Sequence, residues 1–356
     1  LGDISYGVYL WHWPLIVMVP YVLGTPLGTL SKLIIIGATV LFAGVSKVLI
    51  EDPFRYRRFW RSTRARSFYP AIAGMLAVCL TAGVSLVILD RTTADARQLA
   101  AERPPAVLGT VTDPDAPLQP LIADRLWDRG AMYDCFDLDH EKSHVCGYGT
   151  EGADVNVAIA GDSHSAHFIP ALIAMADSEG WHLDTFVGVS CDAGLSDDCG
   201  GSDSAFAGLV AGDYDAVFFS AFRGSISPVA GVEEYMAALH SAGVNLIPVS
   251  DVPLNPAEAH NCIDNSGGDP TVAAKCTTSR DIAVDSVPDR IGPIADALGI
   301  AYLDLTSAFC NAIVCHALDG NTIIYQDSPT SHLTATFGRQ LAPRFTEAVN
   351  QALTAG

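Results

Sequence analysis

Basic residues are scarce in this chain. Its 356 residues include 20 Lys and Arg against 40 Asp and Glu, a net charge of −20. So little basic surface excludes nucleic acid as a partner, because phosphate neutralisation draws on Lys and Arg. Charge of either sign is also thin, at 17% of residues against 49% hydrophobic, which excludes a disordered acidic protein. No C-x-x-C occurs, and no histidine spacing matches a zinc finger. Internal repeats and low-complexity tracts are missing as well. What charge exists is unevenly spread. Residues 1–90 hold 8 Lys and Arg and 4 Asp and Glu, a net of +4, whereas residues 91–356 hold 12 and 36, a net of −24. Two physical environments are joined in one chain.

The first environment is apolar. Phe68–Leu89 runs 22 residues without a charge, and Leu33–Ile50 runs 18 with one Lys near its end. At about 1.5 Å of rise per residue, helices of this length cross a hydrocarbon layer of roughly 30 Å. Val8–Leu23 is a third apolar run, interrupted by Trp11-His12-Trp13-Pro14. The loop Glu51–Arg66 carries Arg55, Arg57, Arg58, Arg61, Arg64 and Arg66, and positive loops stay cytoplasmic. Three transmembrane helices over 1–90 therefore leave everything beyond Asp90 outside. A signal peptide over the first residues is disfavoured by the missing basic flank and cleavage pattern. Beginning without Met, the chain reads as the end of a longer membrane-embedded protein.

Cysteine usage tests that orientation separately. Cys79 sits within the third apolar run, where a thiol packs as a small apolar residue. The other eight, Cys135, Cys146, Cys191, Cys199, Cys262, Cys276, Cys310 and Cys315, all lie in the outer part. An even number in sequential pairs fits disulfides in an oxidising compartment, and neighbour pairing 135–146, 191–199, 262–276 and 310–315 closes four short loops. Zinc is the rival for such pairs, with no matching ligand pattern.

Residues 91–124 read as a Pro-containing linker, and 125–356 as an α/β domain. Strands are expected at Val155–Ala160, His182–Val189, Ala216–Ser220, Asn245–Ser250 and Ala301–Leu305. They alternate with helices at Ser165–Asp177, Val232–Ala242, Asp281–Leu298 and Thr334–Ala352. That order implies a parallel sheet covered by helices on both faces.

Two segments carry chemistry. Gly161-Asp162-Ser163-His164-Ser165 follows the first of these strands and opens a helix, where backbone N–H groups point at a ligand. A Ser there is a candidate nucleophile; the bland alternative is a turn in which Asp162 and Ser163 merely cap the helix. Asp327…His332-Leu333-Thr334 precedes the terminal helix and supplies an orienting carboxylate and a base, in the order Ser…Asp…His. For His332 the alternative is a loop histidine ahead of a helix capped by Ser331 or Thr334. Ser163, His332 and Asp327 are the expected catalytic residues.

These segments carry a family resemblance. The outer part resembles an SGNH (GDSL-like) hydrolase domain, with Gly161-Asp162-Ser163-His164 as its first block and Asp327…His332-Leu333-Thr334 as its last. The apolar part resembles the end of an acyltransferase family 3 protein, through LGDISYGVYLWHWPL (Leu1–Leu15) and Glu51-Asp52-Pro53-Phe54-Arg55. The resemblance implies a flavodoxin-like SGNH fold outside a multi-pass cell membrane protein. It implies O-acetyl transfer to a cell-surface glycan acceptor, with acetyl-CoA as ultimate donor and no cofactor or metal held by the SGNH domain. Cys310 and Cys315 fit the fused type. The departures are specific. The family places Asp three residues before His, but position 329 is Pro, so Asp327 needs a bulged loop. No Gly-x-Asn-Asp block occurs; Gly188, Arg223 and His164 are the oxyanion or substrate candidates. The family 3 catalytic histidine belongs to an early membrane helix, which leaves His12 as a packing or interfacial residue. His164 and His167, three apart on a helix, could share a metal, but a cleft-lining His164 and a structural His167 are favoured.

Three functions fit these residues: a membrane O-acyltransferase, a membrane-anchored glycan acetyl esterase, and a non-catalytic glycan-binding domain with a decayed triad. Transferase and esterase share an acyl-enzyme and differ in the acceptor. The acceptor, the acyl chain and the oligomeric state are not written in the sequence.

Overall fold

A computed structural model of the chain describes residues 2–23, 27–53, 64–101, 107–138, 143–188, 200–224 and 229–355. The chain divides into two compact units, Leu1–Gln98 with Asn265–Gly267, and Leu99–Asp264 with Gly268–Gly356.

The first unit holds helices α1 (Ser5–Leu23), α2 (Thr29–Ser46, prolonged by a wider turn over Lys47–Glu51) and α3 (Arg64–Ala101). Among the described residues two helical stretches are long and apolar enough to cross a membrane, Thr29–Glu51 and Ile72–Leu99, with mean hydropathies of 2.3 and 2.5. The expectation of three is corrected to two. The first run does form a helix, but Tyr6, Tyr9, Trp11, His12 and Trp13 give it polar-edged rings in place of aliphatic side chains. Helices α1 and α2 approach closely where Gly7 meets Ala43, and the Trp11 indole N–H donates to Ser46 Oγ at 2.9 Å. Most aliphatic side chains of α2 and α3 point outward, Leu33 at 61% and Leu80 at 67% exposed, whereas Ile35 and Ala43 of α2 are buried. Cys79 is a free, exposed thiol on α3 and does not pack into a core. Past Asp90 the helix continues through a polar stretch to Ala101, so the first residues of the segment read as linker are helical. Most of the arginine loop, 54–63, lies outside the described residues.

The second unit is built on a five-stranded sheet. Its strands are β1 (Cys146–Gly149), β2 (Asn156–Gly161), β3 (His182–Val187), β4 (Ala216–Ser220) and β5 (Leu246–Pro248), in the order β1-β3-β2-β4-β5. Four strands run parallel, while β1 pairs antiparallel with β3, pairing Cys146 with Thr185 and Gly149 with His182. The sheet is thus mixed, where the sequence led us to expect a parallel one. The edge strand CGYG is short and half glycine, so it offers no apolar periodicity to read. The inner strands are continuous apolar runs because both faces are covered. Val157, Ile159, Leu183 and Phe218 enter one core, with Phe168, Leu172, Met175, Phe337 and Phe345. Ala158, Ala160, Val217 and Phe219 enter the other, with Leu209, Tyr235, Met236 and Ile291.

Between the strands lie α4 (Ser163–Ala166), α5 (Ile169–Glu179), α6 (Gly200–Ala211) and α7 (Val229–Ser241). Proline explains where the expected helices divide. Pro170 opens α5 and ends the expected Ser165–Asp177 helix at its first turn. Pro288 leaves only Ile291–Leu298 as α-helix from the expected Asp281–Leu298. Pro343 splits the terminal helix into Ala335–Gln340 and Ala342–Ala355. The expected strand Ala301–Leu305 makes one isolated bridge, Val249 to Leu303. Disulfides join Cys135 to Cys146, Cys262 to Cys276 and Cys310 to Cys315. The fourth expected pair, Cys191 with Cys199, lies outside the described residues.

The strand order reverses at β2. The chain leaves β2 for β3 on one side, then crosses back to β4 on the other, and that reversal opens a crevice beyond the carboxyl ends of these strands. Ser163 stands at this point.

Candidate active site

The turn from β2 into α4 is dictated by its residues. Gly161 has φ +131, and a Cβ there would collide with Ser165 Oγ and the Ser220 carbonyl. Only glycine takes that conformation without strain. Asp162 caps α4: Oδ1 accepts the His164 N–H at 2.7 Å and Oδ2 accepts the Phe222 N–H at 2.8 Å. Burial pushes the Asp162 carboxyl above its usual range, and both oxygens are spent on holding the turn. Ser165 Oγ lies 2.7 Å from the carbonyls of Ala160 and Ser220 and accepts the Ser220 N–H at 2.8 Å, locking β2 to β4. Ser163 is left at the first helical position, where its own N–H has no intrahelical acceptor.

The loop 327–332 brings base and acid to that serine. His332 Nε2 lies 2.9 Å from Ser163 Oγ, and His332 Nδ1 lies 2.8 Å from Asp327 Oδ2. Asp327 Oδ1 also accepts the His332 backbone N–H at 2.9 Å. The five-residue spacing is therefore closed by a bulge in which one carboxylate grips both ends of the histidine. Burial would raise the Asp327 carboxyl, but these bonds and the His332 ring outweigh it and hold the group below its usual range. Asn255 braces the bulge. Its Nδ2 donates to the Asp327 carbonyl at 2.9 Å, and its backbone N–H donates to Ser331 Oγ at 2.7 Å. Ser331 is buried with φ +65, a left-handed conformation costing a non-glycine residue about 1 kcal/mol or more. Thr334 then caps the Ala335–Gln340 helix by accepting the Phe337 N–H at 3.1 Å.

A second histidine–carboxylate pair lies behind the first. His164 Nδ1 is 2.6 Å from Asp251 Oδ1, and both side chains are buried. Burial alone would lower the His164 ring, but the Asp251 carboxylate outweighs it and holds the imidazolium above its usual range. Burial likewise opposes the Asp251 charge, which His164 and Arg223 keep below the carboxylate norm. Asp251 further accepts N–H groups from Arg223 and Val252, each at 2.7 Å. His164 stacks on Phe222 at 4.3 Å between ring centroids and lies 5.0 Å from the His332 ring. The pair thus ties the first turn of α4 to the ends of β4 and β5. Sequence reading missed Asp251; a lone acid at the end of an expected strand was its only signal.

His167 is buried too, with neither ring nitrogen partnered, and burial holds it well below the usual histidine range. His164, His167 and Asp251 place donor atoms within 4.8 Å of one another. The Asp251 carboxylate also meets His164, Arg223 and Val252 through three hydrogen bonds.

Of the three oxyanion or substrate candidates, His164 is held in its pair with Asp251 with the far ring nitrogen unpartnered, and the other two are engaged within the fold. Gly188 gives its N–H to the Gly161 carbonyl at 3.1 Å. The Arg223 guanidinium is buried against the carbonyls of Asp251 and Val287. It holds Asp251 in place instead of facing a cleft. The Ser163 N–H, at the first helical position, is a donor this geometry offers to a developing oxyanion.

Residues 134–347, more than half of the chain, match the family model of the SGNH domain of the kind fused to AT3 domains. Among solved structures, the chain is similar to the periplasmic domain of a lipopolysaccharide acetyltransferase from Salmonella ser. Paratyphi A. That likeness has 18% identity and a TM-score of 0.46 over 56% of this chain and 85% of that one. It is also similar to a Bacteroides fragilis protein assigned as an acylhydrolase, at 12% identity and a TM-score of 0.34 over 58% of this chain and 91% of that one. No curated protein matches it.

Proposed function

The chain belongs to the family of SGNH domains fused to AT3 domains, and from that premise we propose that it is a membrane O-acyltransferase acting on extracytoplasmic glycans. Ser163 Oγ attacks the acyl carbonyl while His332 Nε2 takes its proton. Asp327 holds the ring tautomer and stabilises the imidazolium, and the Ser163 N–H receives the oxyanion. As the carbonyl re-forms, the leaving oxygen departs with the proton from His332. A sugar hydroxyl then attacks the acyl-serine, gives its proton to His332, and Ser163 leaves by taking that proton back. The acyl group is acetyl in this reading, and acetyl-CoA is its ultimate cytoplasmic source.

The observation that carries the reading is the 2.9 Å approach of His332 Nε2 to Ser163 Oγ, with Asp327 on the opposite ring nitrogen. A decayed triad has no cause to keep that geometry. The two outward-facing apolar helices support a bilayer anchor, and the arginine-rich loop supports a cytoplasmic side for it. Three disulfides support an oxidising compartment for the SGNH unit.

The test is partition. The full chain in detergent is given p-nitrophenyl acetate with and without a mixture of oligosaccharides, and acetylated sugar is followed by mass spectrometry. Transfer predicts Ser163-dependent ester cleavage with acetyl appearing on sugar. Ser163-dependent cleavage to acetate alone, indifferent to sugar, makes the protein an esterase. Cleavage that survives Ser163→Ala overturns both.

A further inference from the structure

Trp127 is conspicuous by its exposure. In the second unit every other described Phe, Tyr or Trp is at least half-buried, whereas Trp127 is 76% exposed. An indole in water forgoes one of the largest burial gains a side chain can make. It is also held. The Arg129 guanidinium lies 5.3 Å from the Trp127 ring and 5.5 Å from the Tyr133 ring, and Arg129 Nε donates to the Leu126 carbonyl at 3.0 Å. A cation fixed against the ring in this way orders the indole before any ligand arrives.

Its place in the fold is beside the base. Asp128, the next residue, accepts Gln326 Nε2 and the Ala335 N–H through its carbonyl, each at 2.7 Å. Its carboxylate accepts the Thr336 N–H at 2.9 Å. Gln326 precedes Asp327, and its N–H bonds the His332 carbonyl at 2.7 Å. Trp127 is thus fastened to the loop that carries both Asp327 and His332. The electrostatics agree: the Tyr133 hydroxyl is raised first by burial and then by the charge of Asp327.

We propose that Trp127, ordered by Arg129, is an acceptor subsite on which a sugar ring stacks, beside the loop that carries the Asp327–His332 pair. The C–H face of a pyranose is apolar while its edge bears hydroxyls, so a flat ring binds the face and leaves a hydroxyl free to reach the acyl-serine. Residues 125–133 lie just ahead of the 134–347 span that the family model matches. The inference rests on the glycan-acyltransferase reading and names the element that would select its acceptor.

The test separates binding from catalysis. The full-length Ser163→Ala chain in detergent is applied to a printed array of neutral and acidic oligosaccharides, beside Ser163→Ala/Trp127→Ala and Ser163→Ala/Trp127→Phe. The subsite predicts saccharide binding that weakens roughly tenfold or more with alanine and largely survives with phenylalanine. Equal binding by the alanine variant, or no binding to any saccharide, overturns it. So does a Trp127→Ala variant that loses affinity for lipid vesicles instead. Failure on the array with Ser163-dependent cleavage preserved removes the subsite and leaves the nucleophile standing. Loss of Ser163 dependence removes the enzyme reading itself.

Discussion

Two histidine–aspartate pairs stand side by side in this site, and their difference is instructive. In one, His332 and Asp327 keep 13% and 30% of their side-chain surface exposed, and the far ring nitrogen meets a serine hydroxyl. In the other, His164 and Asp251 are 2% and 0% exposed, and the far nitrogen of His164 meets no partner. The bonds are of similar length, 2.8 and 2.6 Å. What differs is access. A half-open pair can take a proton from a nucleophile and return it to an acceptor. A closed one can only hold its charges together, and here it fastens three strand-end loops around the serine.

That contrast is broken most directly at the open pair. Ser163→Ala and His332→Ala should each lower kcat for ester cleavage by on the order of 10⁵ to 10⁶, with the double variant little worse than either. A double variant that loses the product of the two effects would show that they do not act as a unit. Asp327→Asn should lower kcat by about 10⁴ with unchanged stability at neutral pH to within about 2 kcal/mol, because the imidazole loses its orienting charge while the bulge remains.

The closed pair predicts the opposite division. Asp251→Asn should cost roughly 3 to 5 kcal/mol of unfolding free energy, read by denaturant titration, since it strands a buried imidazolium. Its kcat per folded molecule should fall far less than that of Asp327→Asn. The reverse result would place Asp251 in the chemistry and Asp327 in the scaffold.

Acid sharpens the comparison with a smaller effect. His167 is held below the ordinary value near 6.5, so as pH falls below that value the unfolded chain gains a proton that the fold refuses. Stability is lost on that limb. His164 runs the other way: its pairing contribution is complete below about 6.5 and is lost as pH rises through its raised value. Asp327, lowered, contributes above about 3.9 and loses that contribution as pH falls through its folded value. Replacing His167 with Leu should therefore recover about 1 to 2 kcal/mol between pH 6.5 and 5, with the alkaline limb unchanged.

Much of this site could be read from local sequence, because its parts are local. Gly161 through Ser165 form one strand-to-helix turn, and Asp327 and His332 sit in one loop, so short segments carry both. The inner strands declared themselves through uninterrupted apolar runs. Asp251 did not, since its partner is 87 residues away and nothing nearby marks a bonded aspartate from a solvated one. Arg223 was noticed for its position but misjudged in direction, because a guanidinium at a strand end can face a cleft or turn inward, and here it turns inward onto Asp251. Edge strand β1 was invisible for want of side chains with a period. Trp127 passed unremarked because exposure is a property of the fold.

Reaction with a fluorophosphonate probe tests the central assignment most directly. The full chain in detergent is labelled, digested and mapped by mass spectrometry. The account predicts one adduct, on the peptide carrying Ser163, that disappears in Ser163→Ala and weakens sharply in His332→Ala. An unlabelled wild-type chain, or a Ser163→Ala chain labelled as strongly as wild type, contradicts it.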